Sequence, residues 1–133
     1  MELMRASSLD KPVRQSNLAF SHQGVIRALH YHERGQDDLF ACVSGMVRVV
    51  VLDRDTGETF TEDIGDDNPI GLYVPGHHAH GYEALTDVLL CYHVTEEYDP
   101  DDPDEHGVPW NDARVAHLWS TTTPILSERD AAP

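Results

Sequence analysis

Basic residues are scarce in this sequence. Nine lysines and arginines stand against 24 aspartates and glutamates, a formal charge of −15. Nucleic acid and anionic membrane surfaces both require a basic face, so neither is an expected partner. Long apolar runs are missing as well. The longest, MVRVVVL and DVLLCYHV, fall far short of the roughly 20 residues that cross a bilayer. The opening MELMRASSLDKP holds no apolar segment of the kind a signal peptide needs. Cysteine is limited to Cys42 and Cys91, each in a strand-like apolar run and without a framework spacing. Buried free thiols in a cytoplasmic protein are the expectation. Strand–helix alternation and fixed-period repeats are also absent, so neither a parallel α/β sheet nor a solenoid is expected.

What is present is period-2 patterning. GVIRALHYH reads as one strand, and DLFACVSGMVRVVVLD as two meeting at the Ser44–Gly45 turn dipeptide. An Asp-Thr-Gly turn at 55–57 leads into a short strand, followed by GLYVP, AHGYEAL and DVLLCYHV. Many short strands joined by Gly, Pro, Asn and Asp turns predict an all-β sandwich or jelly roll. A chain of 133 residues is one domain in size. The expected organisation is a flexible stretch at 1–11, a β core at 12–95 and a C-terminal extension at 96–133. That extension should hold one short helix near WNDARVAHLW, with Trp110 and Trp119 packing it onto the core. The acidic run EEYDPDDPDEH (96–106) reads as a solvated loop, since its carboxylates repel one another and prolines break it.

Residues two apart on a strand share a face, so His30 and His32 should point the same way, with Ile26 and Ala28 beside them. Six residues separate Asp38 from Gly45, and a second histidine cluster follows in PGHHAH (75–80). The combination resembles the two cupin motifs, with Asp in place of the usual Glu and His80 as the further histidine. Three imidazoles and a carboxylate, His30, His32, Asp38 and His80, would suit iron, manganese, nickel or zinc. Of the other histidines, His77 and His78 flank a turn and at least one should be exposed. His93 should face the opposite side of its sheet from Tyr92.

The order of RQSNLAFSHQGVIRALHYH, CVSGMVRVVVLDRDTGETF, VPGHHAHGY, CYHVTEEYDP, VPWNDARVAHLW and LSERDAAP is similar to one cupin family, the dTDP-4-dehydrorhamnose 3,5-epimerases. The resemblance implies metal-free proton transfer beside a ketone, without a cofactor. His30 would take a proton from the carbon next to the carbonyl, Tyr92 would return one to the opposite face, and Asp130 would orient His30. It also implies substrate contacts from Gln15, Asn17, Arg27, His80 and Tyr98, with Arg27 matching the family's phosphate-binding arginine. Arg27 and His30 are three apart, so on a regular strand they face opposite ways; a bulge or a subunit boundary must bring them together. Homodimerisation is implied as well.

Three departures from that family bear on function. Asp38 replaces a lysine that would stabilise enolate charge, and a carboxylate there opposes it. His32 replaces a glutamine. The resemblance starts at Pro12, so the family's N-terminal nucleotide-holding segment has no counterpart, and weaker recognition of dTDP is expected. Three readings stay open. The first is an epimerase acting on a keto-deoxysugar nucleotide or a smaller keto compound. The second is a metallocupin using a divalent transition metal as Lewis acid or oxygen-activating centre. The third is a cupin binding module without catalysis. The first two compete for His30, because a coordinated imidazole is no longer a free base; in a hybrid, a metal replaces the lysine and Tyr92 moves the proton.

Overall fold

The computed structural model describes residues 2–5, 7 and 9–132. Among these residues the strands are β1 (Gln15–Ser21), β2 (Ile26–Tyr31), β3 (Asp38–Ser44), β4 (Met46–Leu52), β5 (Thr59–Gly65), β6 (Gly71–Val74), β7 (Ala79–Ala84), β8 (Val88–Val94) and β9 (His106–Gly107). A 3-10 turn at Ala116–Leu118 and the short helix α1 (Glu128–Ala131) follow. The strands pair antiparallel in two sheets, β1-β8-β3-β6 and β5-β4-β7-β2-β9. This is the all-β, jelly-roll cupin barrel that the patterning and motifs predicted.

Alternation along the strands builds the core between the sheets. Phe40, Val47, Val49, Ile64, Val74, Tyr82, Val88 and Leu90 form one buried cluster. A second lies outside the five-stranded sheet, where Ile26, Leu29, Val50 and Leu52 are covered by Val115 and Trp119. Both faces of β4 are thus buried, which is why MVRVVVL is nearly continuous in apolar residues instead of alternating. Each fully buried aliphatic side chain contributes about 1.5–3 kcal/mol, so the C-terminal segment is part of the fold's stability. Trp119 donates its Nε1–H to the Trp110 carbonyl at 2.8 Å, as the packing of both tryptophans suggested.

Several local expectations differ from the structure. β3 and β4 meet at Gly45 but do not pair with each other; the chain crosses from one sheet to the other there. Gly45 has φ +87°, and a Cβ would lie 2.3 Å from the Asp87 carbonyl oxygen, so only glycine fits this crossing. The helix expected near WNDARVAHLW is a single turn, held by Val115 and Ala116 N–H groups on the Asp112 carbonyl. It stops because Trp119 turns extended (φ −78°, ψ 148°) to lie on the sheet. The short helix of the extension lies later, at Glu128–Ala131. Of the stretch 1–11, residues 1, 6 and 8 lie outside the described residues, while Lys11 pairs with Asp37 at 2.9 Å. Pro133 also lies outside them.

Candidate active site

The site strand is β2, and its geometry depends on one extra residue. Arg27 pairs with Tyr82 of β7, but His30 pairs with His80, so the register shifts by one between them. Ala28 and Leu29 are both buried, 1% and 0% exposed. Opposite them, a Cβ on Gly81 would lie 2.3 Å from the Ala28 Cβ and 2.4 Å from the Arg27 carbonyl oxygen. Glycine at 81 is what lets the bulge close against β7. The bulge resolves the phase problem, and Arg27 and His30 line one cavity of about 430 Å³. It also corrects the neighbours expected for the histidines. Ile26 and Ala28 sit in the outer cluster under Trp119 instead of beside His30 and His32.

His30 enters the cavity from the five-stranded sheet and Tyr92 from the four-stranded sheet, so the two approach from opposite sides. Asp130 is 3% exposed, and its Oδ1 lies 2.7 Å from His30 Nε2. Local sequence fixes that carboxylate. Ser127 caps α1 by accepting the Asp130 N–H at 3.1 Å, which places Asp130 in the first turn. Burial pushes the Asp130 carboxyl up. The His30 hydrogen bond and charge, Arg129 and the Ala28 N–H outweigh it and hold the group below its ordinary value. With Nε2 committed to Asp130, Nδ1 is the ring nitrogen left to act as base. Burial, reinforced by Tyr82, raises the Tyr92 phenol, while Arg27 opposes the rise. It therefore keeps its proton at neutral pH.

The other sequence candidates fall into two groups. Gln15, Asn17 and Tyr98 line a wider mouth outside the inner cavity, together with Tyr92. Gln15 Nε2 donates to Asn17 Oδ1 at 3.0 Å and Gln15 Oε1 accepts the Tyr98 N–H at 2.9 Å. His32, Asp38 and His80 form a compact buried cluster. Their ligand-type atoms all lie within 4.8 Å of one another. The four-ligand set expected from the cupin motifs therefore loses His30, whose Nε2 is held on the Asp130 side. His80 Nε2 is 2.9 Å from Asp38 Oδ2 and its Nδ1 is 2.9 Å from the His78 carbonyl. Burial lowers the His80 imidazole, but Asp38 raises it further, and the net shift is upward. Asp38 is correspondingly held down: His80, Gln36 and His32 outweigh its burial.

Sequence reasoning missed Gln36, Glu105 and Arg129. Gln36 Nε2 donates to Asp38 Oδ1 at 2.9 Å and lies 3.2 Å from His32 Nε2. Arg129 reaches Glu105 at 2.6 Å and lies 3.2 Å from His30 Nε2. Its place beside Asp130 in LSERD was the available signal. The acidic run is more than a solvated loop. The Asp104 carboxylate takes the Glu33 and Arg34 N–H groups, its carbonyl takes His32 Nδ1 at 2.6 Å, and Glu105 lines the cavity. His77 is exposed. His93 lies on the outer face, 2.7 Å from Ser16 Oγ.

Comparison with known proteins adds independent information. The family model for dTDP-4-dehydrorhamnose 3,5-epimerase matches residues 1–133. The spore coat polysaccharide biosynthesis protein SpsL of Bacillus subtilis (strain 168) is 40% identical over 114 residues, covering 80% of this chain and 75% of SpsL. NovW, a 4-keto-6-deoxy sugar epimerase from the novobiocin cluster of Streptomyces spheroides, superposes with a TM-score of 0.86 at 31% identity. The match covers 98% of this chain and 72% of NovW. The dTDP-6-deoxy-D-glucose-3,5-epimerase RmlC of Legionella pneumophila, solved with dTDP-4-keto-L-rhamnose, also gives 0.86, at 25% identity over 98% of this chain and 76% of that one.

Proposed function

The chain belongs to the dTDP-4-dehydrorhamnose 3,5-epimerase family, a family of isomerases, and from that premise we propose that it inverts a stereocentre beside the ketone of a dTDP-linked 4-keto-6-deoxy sugar. The observation that carries this reading is the His30–Asp130 pair on one wall of the cavity with Tyr92 on the other. Family membership supports an epimerase over an oxygen-activating metallocupin or a binding module.

The steps follow from the geometry. A neutral imidazole suits proton abstraction near pH 7. His30 Nδ1 takes the proton from the carbon adjacent to the carbonyl; the C–H electron pair moves into the ring and the carbonyl oxygen becomes an enolate. Asp130 receives the Nε2–H, fixes the tautomer and stabilises the imidazolium. Tyr92 then gives its phenolic proton to the same carbon from the opposite face, and the configuration inverts. Proton exchange with solvent resets both groups. Arg27 has no ion-pair partner among the described residues within 4.0 Å and lines the inner cavity, which supports a role on the substrate's diphosphate. Gln15, Asn17 and Tyr98 at the mouth support contacts to the nucleoside.

The same reading includes a homodimer and a cytoplasmic location. The exposed Leu18 and Phe20 (67% and 56%) on edge strand β1 support pairing between copies, which light scattering would test. Two free thiols, Cys42 and Cys91, support a reducing compartment. The deciding experiment is incubation with dTDP-4-keto-6-deoxy sugar in deuterium oxide, with mass spectrometry and NMR of the product. Deuterium should enter a carbon flanking the ketone; no incorporation at either flanking carbon would sink the epimerase reading.

A further inference from the structure

We propose that His32, Asp38 and His80 form a three-ligand site for one divalent transition-metal ion, placed to polarise the ketone oxygen while His30 stays free as base. This rests on the epimerase reading for its role, but not for its existence. The three donors are 5%, 5% and 4% exposed and line the same cavity as His30 and Tyr92.

The case is geometric. Each imidazole has its Nδ1 turned to a backbone carbonyl: His32 to Asp104 at 2.6 Å and His80 to His78 at 2.9 Å. A carbonyl can only accept, so both Nδ1 atoms carry the hydrogen and each Nε2 is the atom left for coordination; His32 Nε2 now lies 3.2 Å from Gln36 Nε2, a contact that a bound ion would replace. Such outer hydrogen bonds are what orient and strengthen metal-binding histidines. Gln36 does the same for the carboxylate, donating to Asp38 Oδ1 at 2.9 Å and leaving Oδ2 turned inward. Oδ2 is 2.9 Å from His80 Nε2 and 3.9 Å from His32 Nε2. Bonds of about 2.1 Å place neighbouring donors about 3.0–3.4 Å apart in octahedral or tetrahedral shells. All three donors lie within 4.8 Å of one another, so side-chain adjustments of up to about 1.5 Å complete the shell. Two imidazoles and one carboxylate suit manganese, iron, cobalt, nickel or zinc more than magnesium or calcium. The remaining positions open to the cavity, where a ketone oxygen could bind.

The site removes two difficulties. Asp38 as a bare carboxylate opposes an enolate; as a metal ligand its charge is offset by the dication, which acts as the electrophile. His30 lies outside the cluster, on Asp130, so coordination and base catalysis do not compete. Polarisation involves no electron transfer: the oxygen lone pair is shared with the ion, and the protons move as before.

The test uses untagged protein dialysed against chelator and titrated with Co(II). Visible absorption and proton NMR are recorded for the wild type, His32→Gln and His30→Asn. The expected result is one ion per chain, with two exchangeable, hyperfine-shifted imidazole N–H resonances. Affinity should fall at least tenfold in His32→Gln and persist in His30→Asn. Failure of the wild type to bind, undiminished binding in His32→Gln, or a third shifted N–H would overturn the site. Because the resonance count is taken on the wild type, the conclusion survives if a variant fails to fold. Deuterium exchange into the keto sugar is then compared for stripped and reloaded protein. Exchange that drops on stripping and returns with Co(II) supports the electrophile's role, and exchange indifferent to stripping overturns that role. Absence of exchange in both forms counts against the epimerase reading, while the Co(II) spectra judge the site independently.

Discussion

Replacing Asp130 with asparagine changes one atom and should disable the base. Asp130 Oδ1 accepts the His30 Nε2–H at 2.7 Å. Asparagine carries no charge to stabilise the imidazolium and puts an NH₂ group where a carboxylate oxygen stood. The imidazole can move its hydrogen to the other nitrogen at little cost, so an NH₂ group turned to the ring donates to His30 Nε2. That leaves the hydrogen on Nδ1, the nitrogen that faces substrate, and the base is in the wrong tautomer. Losing only a charge-assisted hydrogen bond, about 1.5–3 kcal/mol, would slow the reaction roughly 10–150-fold by the tenfold-per-1.36 kcal/mol rule. Tautomer inversion raises the loss to about 10³–10⁴. Single-turnover deuterium exchange into the keto sugar reads the rate, with thermal unfolding alongside. A loss under tenfold, or a change confined to KM, would refute the dyad.

Tyr92→Phe should separate the half-reactions, keeping solvent exchange at the carbon beside the ketone while lowering net inversion about 10²-fold or more; equal losses in both would show that Tyr92 does not return the proton. Gly81→Ala should destabilise the fold by about 1–3 kcal/mol, because the new methyl meets the Ala28 Cβ and the Arg27 carbonyl; an unchanged denaturation midpoint would contradict the bulge. The Asp38–His80 pair sets a pH window in metal-free protein. His80 is raised above its ordinary 6.5, so its contribution is whole below that pH and fades as pH rises through the folded value. Asp38 is lowered below 3.8, so its contribution is whole above that pH and fades as pH falls through the folded value. Urea midpoints should therefore fall on the alkaline side of 6.5, more steeply for the wild type than for His80→Gln, and parallel curves would argue against the pair.

Period-2 runs, turn residues and the near-continuous β4 were enough to specify an all-β sandwich, because burial of one or both strand faces writes itself directly into residue order. The proposed catalytic trio was legible in a different way. His30, Tyr92 and Asp130 were found through motif resemblance; alternation alone makes Tyr92 an ordinary strand aromatic and Asp130 a tail acid. What only the tertiary structure decided is how these residues meet. The Ala28–Leu29 bulge depends on the absent side chain of Gly81, a contact between strands more than fifty positions apart in sequence. That bulge turns Arg27 and His30 to one cavity and sends Ile26 and Ala28 to the other face. The acidic run supplies the Asp104 carbonyl to His32 and Glu105 to Arg129, and no local pattern marks a backbone carbonyl as a histidine's partner. Nor does motif spacing say that His30 leaves the His32–Asp38–His80 cluster. That separation arises because Asp130, a hundred residues away along the chain, is packed close enough to claim its ring nitrogen, and hydrogen bonds act over space, not along sequence.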